Sequence, residues 1–259
     1  MAHKTGSEAP WLVEYSRLAT VHWLDSDCFQ VSDMRNFRYR GVGDPLAAWD
    51  DRCFRLSEVT QTDLVLSYWG GNAIAHVFLS FGFSNGEWLA VSIETRRRQN
   101  QPWSAFGGFL RNYPVIYVVA DERDLIGVRS DVRRERVWLY GLTLTQEQRQ
   151  RLLRDYLLRI QQVNAHPEWY NTLFNNCTTN ILHHGRAVSP AVKYDWRILL
   201  SGYADRYCYR MGLLDTRLPF EILRQRSRLI RPEDACIDDD FSQDIRRQRA
   251  SSFLPEIKE

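Results

Sequence analysis

Ile74 to Phe83 (IAHVFLSFGF), Ser84-Asn85-Gly86, and Glu87 to Thr95 (EWLAVSIET) together form the stretch whose reading decides the fold. Both arms are rich in β-branched and aromatic residues, and the Asn-Gly pair between them supplies the backbone conformations that a tight hairpin needs. Two registers fit. A two-residue Asn85-Gly86 turn pairs Ser84 with Glu87, sets His76 against Thr95 and leaves Glu94 facing away. A three-residue Ser84-Asn85-Gly86 loop, with Gly86 in the left-handed region, pairs Phe83 with Glu87 and sets His76 against Glu94. Gly86 suits both.

Outward from the hairpin, Trp11 to Trp23, Arg35 to Tyr39 and Asp63 to Trp69 read as strands on one side. On the other side, Tyr113 to Ala120 is a nearly continuous apolar run, as expected of a buried strand, and Val137 to Leu142 is another. The period then changes. Thr145 caps a helix over Gln146 to Val163, because Leu152, Leu153, Tyr156, Leu157, Ile160 and Val163 share one helical face. A second helix is expected from near Asn176 to His184, stopped by Gly185 and Pro190. Ile198 to Gly212 and Pro219 to Arg228 look helical, and the tail from Pro232 reads as extended or wrapping. Strands first and helices later predict an α+β domain with an antiparallel sheet over residues 10–230, followed by a C-terminal extension over 231–259.

Nine Trp, 12 Tyr and 12 Phe in 259 residues demand burial, which excludes a disordered chain or a coiled coil. A net charge of +2 is too small to argue for nucleic acid as a partner. No segment approaches the roughly 20 apolar residues of a membrane span, and Met1 to Ala9 is short and polar rather than a signal peptide. Any export or anchoring segment is therefore expected in a longer parent protein.

Metal and nucleotide chemistry find little support. His183 and His184 are adjacent, so on a helix their side chains splay by about 100°. There is no CxxC and no HExxH, so neither a metal site nor a cofactor is expected. Gly70-Gly71 and Gly107-Gly108 lack the Lys-Ser/Thr of a phosphate loop, and no G-x-S-x-G elbow is present.

A thiol remains. Cys177 follows Asn175-Asn176, and either asparagine is a good N-cap that would put Cys177 in the first helical turn. There the free N–H groups and the helix dipole favour a thiolate and are able to stabilise an oxyanion. The competing reading is a small buried residue at a helix start. The base is His76, flanked by Ile74 and Phe78 on an apolar strand face, with Glu94 as the orienting group and Ser92 as the alternative. The histidine strand precedes the cysteine helix, the order expected of a circularly permuted papain-like fold such as that of lecithin retinol acyltransferase and its relatives.

Ala75-His76-Val77-Phe78-Leu79-Ser80-Phe81, Ser92-Ile93-Glu94-Thr95-Arg96, Tyr117 to Asp124 (YVVADERD), Val137-Trp138-Leu139-Tyr140 and Phe174-Asn175-Asn176-Cys177-Thr178 together resemble the Lnb N-terminal periplasmic domain family over roughly residues 15 to 230. Arg35-Asn36-Phe37-Arg38-Tyr39 is similar to a motif of one subgroup. The resemblance implies a bacterial, periplasmic domain, membrane-anchored in a longer native protein. Its implied chemistry is a thiol-dependent acyltransferase or acyl hydrolase acting on phospholipid or lipoprotein acyl groups through a Cys177 thioester. Cys177, His76 and Glu94 would be the catalytic residues, supported by Asn176, Ser92 and Arg96. A cell-wall amidase or peptidase of papain-like type and a catalytically silent binding module are the alternatives.

Three further features carry expectations. Arg96-Arg97-Arg98 and Arg133-Arg134-Glu135-Arg136 are either solvated loops or docking points for anionic headgroups at the bacterial membrane surface, with Arg96 bridging to Glu94 as one structural option. Asp121-Glu122-Arg123-Asp124 reads as a structural ion network, and Trp69, Trp88, Trp103 and Trp138 as core. Cys28, Cys53, Cys208 and Cys236 are either free thiols or two disulfides, with Cys28–Cys53 and Cys208–Cys236 the nearest-neighbour pairing.

Overall fold

Around Ser84-Asn85-Gly86 the chain takes the longer of the two loops. Phe83 N donates to Glu87 O at 3.0 Å, Gly86 sits at φ +86°, and Gly86 N returns to Phe83 O. The arms are β7 (His76–Phe83) and β8 (Trp88–Thr95), registered from Gly82↔Trp88 to Leu79↔Val91. Carried to the strand ends, this register sets His76 opposite Glu94.

The computed structural model describes residues 9–101, 113–171, 177–188 and 200–251, apart from the side chains of 177, 178, 187 and 248–251. The hairpin is the centre of a nine-stranded sheet. It is joined by β1 (Thr20–Trp23), β2 (Cys28–Arg35), β5 (Trp49–Arg55), β6 (Val59–Tyr68), β9 (Val115–Ala120), β10 (Arg136–Gly141) and β11 (Arg228–Leu229). Their order is β1-β2-β9-β8-β7-β6-β10-β11, with β5 paired to β2. Every pairing in it is antiparallel except a single parallel rung, Arg35 with Ala120. The small ribbon of β3 (Arg38–Gly41) and β4 (Asp44–Leu46) stands apart.

Alternation along the central strands divides the interior in two. Leu64, Val77, Leu79, Val91 and Ile93 face a helical layer. In that layer, α2 (Gln146–Ala165) buries the stripe Leu152, Leu153, Tyr156, Leu157, Ile160 and Val163. A capping box between Thr145 and Gln148 starts α2. Beside it run α3 (Cys177–Val188) and the shorter α4 (Ala204–Arg210) and α5 (Phe220–Ser227). Val65, Phe78, Ala90, Ile116 and Val118 face the other way. There they meet Leu125 of α1 (Glu122–Leu125), Ile126 and the C-terminal helix α6 (Phe241–Ser251). The mixed α+β class follows from these two layers on one sheet.

Several expectations need correction. The tail is helical rather than extended: Phe241 and Ile245, one turn apart, are buried, and Arg246 reaches between Asp63 and Glu122. Helix α6 thus packs on one face of the sheet. Gly185 does not stop α3, which continues to Val188. Glycine is only weakly unfavourable inside a helix, and Gly185 borders a packed apolar cavity. Of Trp11–Trp23 only Thr20–Trp23 is strand, preceded by a single 3-10 turn over Val13–Tyr15. Strands β2 and β5 were not foreseen as such, because their polar alternation is broken by charged edge positions. Trp138 is core, whereas Trp69 is 57% exposed; Trp103 lies outside the described residues.

The four cysteines outside α3 are free. Cys28 and Cys53 sit diagonally on β2 and β5, opposite Arg55 and Gln30. Cys208 of α4 borders the helical-layer core, while Cys236 is exposed beside Arg231 on the α6 side. The sheet stands between the latter two, which rules out their pairing in this fold.

Candidate active site

His76 is the first residue of β7, and the hairpin register brings two polar residues of β8 to its side of the sheet. His76 Nε2 lies 2.6 Å from Ser92 Oγ, and Ser92 Oγ donates to Glu94 Oε1 at 2.8 Å. The direct separation of His76 Nε2 and Glu94 Oε1 is 3.7 Å. A hydroxyl has one proton, and here the carboxylate takes it. Ser92 Oγ therefore accepts from the imidazole, which fixes the Nε2–H tautomer and leaves the lone pair on Nδ1. Among the described residues Nδ1 has no hydrogen-bond partner. The two candidates for the orienting group, Ser92 and Glu94, thus act in series: serine touches the ring, and glutamate polarises the serine.

The electrostatics favour this tautomer at neutral pH. Burial opposes a charge on Glu94, but Arg129 at 3.2 Å, then His76 and Arg35, hold its carboxyl well below the usual carboxylate range. Tyr15 OH donates to the other carboxylate oxygen at 2.9 Å. Burial, with Arg129 reinforcing it, drives the His76 pKa down to about 4, so the ring is neutral at physiological pH. Arg129 lies in a π-helical turn over Val128–Val132, is anchored to Leu125 O and stacks over Phe78.

Sequence reasoning missed Arg129 and Tyr15, which sit 35 and 79 residues from Glu94. The available signal was that a carboxylate in an apolar strand needs a buried cation. Arg96 does not touch Glu94. Its guanidinium donates to Tyr15 O and Ser16 O, so it fixes the backbone of the turn whose tyrosine holds Glu94.

The motif Arg35 to Tyr39 is tied to the same region through Asp124. Arg35 makes a two-pronged contact with the fully buried Asp124 carboxylate, which also accepts from Phe37 N and Tyr39 OH. Asp121 caps α1 and pairs with Arg123 and Arg52, while Glu122 accepts from Ser80 and Arg246. These contacts form the ion network read from residues 121–124.

Cys177 is the first described residue of α3; Asn175, Asn176 and the Cys177 side chain lie outside the described residues. Helix α3 lies against β7 and β8, the strands that carry His76, Ser92 and Glu94. Its packed length, however, covers the face of Val77 and Leu79, opposite that of His76. A meeting of the first turn of α3 with His76 can therefore take place only around the strand ends.

Two turns along, His184 is fully buried, with Nδ1 2.6 Å from Asp155 and Nε2 2.9 Å from Tyr117 OH, and its ring stacks on Tyr156. His183 is exposed, and the two rings stand 5.9 Å apart. Between α3, α2, α4 and strands β6 and β7 lies an apolar cavity of about 70 Å³, bordered by Val77, Leu79, Ile181, Gly185 and Cys208. Burial, with Asp205 nearby, pushes the Cys208 thiol up to about 12, so this cavity cysteine stays protonated.

A family model described as the Lnb N-terminal periplasmic domain matches residues 46–202. The match includes His76, Ser92, Glu94 and Cys177 and is narrower than the 15 to 230 of the sequence resemblance. Comparison with curated proteins and with solved structures gives no match. Among the described residues no helix is long and apolar enough to cross a membrane.

Proposed function

Because the chain belongs to the Lnb N-terminal periplasmic domain family, and so to a bacterial periplasmic setting, we propose that it is a thiol-dependent acyltransferase or acyl hydrolase on a circularly permuted papain-like frame. Cys177 is the nucleophile and His76 the base. The observation that carries this reading is the direction of donation along His76–Ser92–Glu94, which leaves Nδ1 as a free lone pair on a neutral ring.

In the reaction, Nδ1 takes the Cys177 proton and the sulfur attacks the carbonyl carbon of an ester. The resulting oxyanion is stabilised by the free N–H groups of the first turn of α3. Collapse breaks the ester C–O bond, the imidazolium returns its proton to the leaving alkoxide, and the acyl group stays on sulfur as a thioester. Water or an amine then attacks the thioester, gives a proton to His76 and releases the thiol. Water yields a fatty acid, and an amine yields an amide on a lipoprotein.

Intact-mass spectrometry after incubation with phosphatidylethanolamine vesicles tests the reading. The expected product is one acyl chain added to the protein, removed by hydroxylamine, absent from Cys177→Ala and formed at least about 100-fold more slowly in His76→Ala. No adduct with lipid, together with cleavage of cell-wall muropeptides, would transfer the site to an amidase.

A further inference from the structure

The end of the sheet that carries His76 also carries exposed apolar residues for which the acyl chemistry above has no use. The β6–β7 register runs to Ser67↔His76, and the connection beyond it, residues 69–75, carries Trp69 and Ile74. These residues are 57% and 58% exposed, unusual for a tryptophan and an isoleucine flanking a hairpin tip. Tyr203, 36% exposed, is brought to the same tip, since Gly202 N donates to Ala73 O and Ala75 N to Ser201 Oγ. The approach is close: a Cβ on Gly202 would lie 2.2 Å from Asn72 O.

The tip is braced. Arg136 donates to Gly70 O at 2.7 Å, to Gly71 O at 3.2 Å and to Asn72 Oδ1 at 3.0 Å. The apolar side chains are therefore held out by a fixed backbone.

The charge at this end is basic. Strand β10 pairs Arg136 with Tyr68, so the turn before it, with exposed Arg133 and Arg134, stands beside the tip. The nearby Glu135 carboxylate is turned inward to Ser67 at 2.5 Å and lies 3.8 Å from Arg133. Arg134 has no carboxylate partner among the described residues. Strand β8 runs antiparallel to β7, so Arg96 and Arg97, which follow its last residue, are at the same end. Neither has a carboxylate partner among the described residues.

We propose that this end of the sheet docks on an anionic phospholipid bilayer, with Trp69, Ile74 and Tyr203 entering the interfacial layer and Arg133 and Arg134 meeting lipid phosphates. Tryptophan and tyrosine suit that layer because each joins a large apolar ring to one polar group, and the guanidinium fork matches phosphate. Docking in this orientation sets the His76 end of the sheet at the depth of the ester carbonyls. The significance of the surface rests on the acyl chemistry proposed above, but the docking itself is measured without it.

Vesicle flotation separates the two. The wild-type chain is expected to float with vesicles of phosphatidylethanolamine and phosphatidylglycerol. Flotation should fall at least about fivefold in Trp69→Ser/Ile74→Ser, and at least about threefold in Arg133→Gln/Arg134→Gln. The arginine variant should not differ from wild type on pure phosphatidylcholine. Thermal melts verify that the variants fold; should the serine pair melt early, Trp69→Gln alone replaces it, with at least about a twofold fall expected. Cys177→Ala is expected to float like wild type. Wild-type chain that stays with no vesicle, or folded tip variants that float as well as wild type, would overturn the docking proposal. Normal flotation without any thioester would leave docking standing and remove the acyl chemistry. A thioester from a soluble short-chain ester without flotation would do the reverse.

Discussion

His184 and His76 are each linked to a carboxylate, and they are saturated to different degrees. His184 has both ring nitrogens occupied, by Asp155 and Tyr117, and a tyrosine ring stacked on one face. Since a carboxylate only accepts, His184 carries its proton on Nδ1 and receives one from Tyr117 at Nε2. It joins α3 to α2 and β9, and neither ring nitrogen is open to take up a proton. Among the described residues His76 has one nitrogen occupied, and its ring is partly exposed at a strand end. A neighbouring carboxylate alone does not separate the proposed base from a strut; an open ring nitrogen is what the proposal needs of His76.

The largest effects should come from exchanging these roles by mutation. His76→Ala is expected to lower acyl-enzyme formation by about 10³-fold with little change in thermal midpoint. His184→Ala should cost about 2–4 kcal/mol of stability by leaving a cavity and unsatisfied groups at Tyr117 and Asp155. Paired denaturation and single-turnover measurements verify this, and equal stability losses in both variants would erase the contrast.

A smaller effect is expected in the pH profile. His76 has a folded pKa of about 4 against 6.5 for a free histidine. The folded protein therefore keeps the ring neutral while the unfolded chain takes up a proton. Stability from this group is complete above about pH 6.5 and is lost as pH falls toward 4. The acid limb of the activity profile should lie near pH 4 for the same reason. Arg129→Gln removes a neighbouring cation and should move that limb upward by roughly one unit; an unmoved limb would mean that Arg129 does not tune the base.

The smallest effect belongs to the outer layer. Tyr15→Phe removes one donor from Glu94 but leaves Ser92 and Arg129 in place, so a rate loss of only about 2–5-fold is expected, against about 10–100-fold for Ser92→Ala. A tyrosine effect larger than the serine effect would place the relay elsewhere.

Local chemistry made much of this legible. Alternating β-formers around Ser84-Asn85-Gly86 specify a hairpin, Thr145 marks the start of α2, and a histidine in an apolar strand marks a candidate site. Each signal acts over a few residues and survives without knowledge of the rest of the chain. The choice between two registers was not local. It depends on which residues of each strand meet which layer, and that follows from the helices on one side and α6 on the other.

What the sequence by itself determined, then, was the α+β order, the central hairpin and the pair His76 and Glu94 as partners in one of two registers. Only the tertiary structure decided that Ser92 stands between them, that Arg129 and Tyr15 close on Glu94 from distant segments, and that Trp69 faces outward. The tail helix was likewise unreadable, because Phe241, Ile245 and Arg246 gain meaning only against Asp63, Glu122 and the sheet face they cover. Backbone preferences act between neighbours, whereas a buried charge is satisfied by whatever residue the fold brings within about 3 Å, and that proximity has no trace in spacing along the chain.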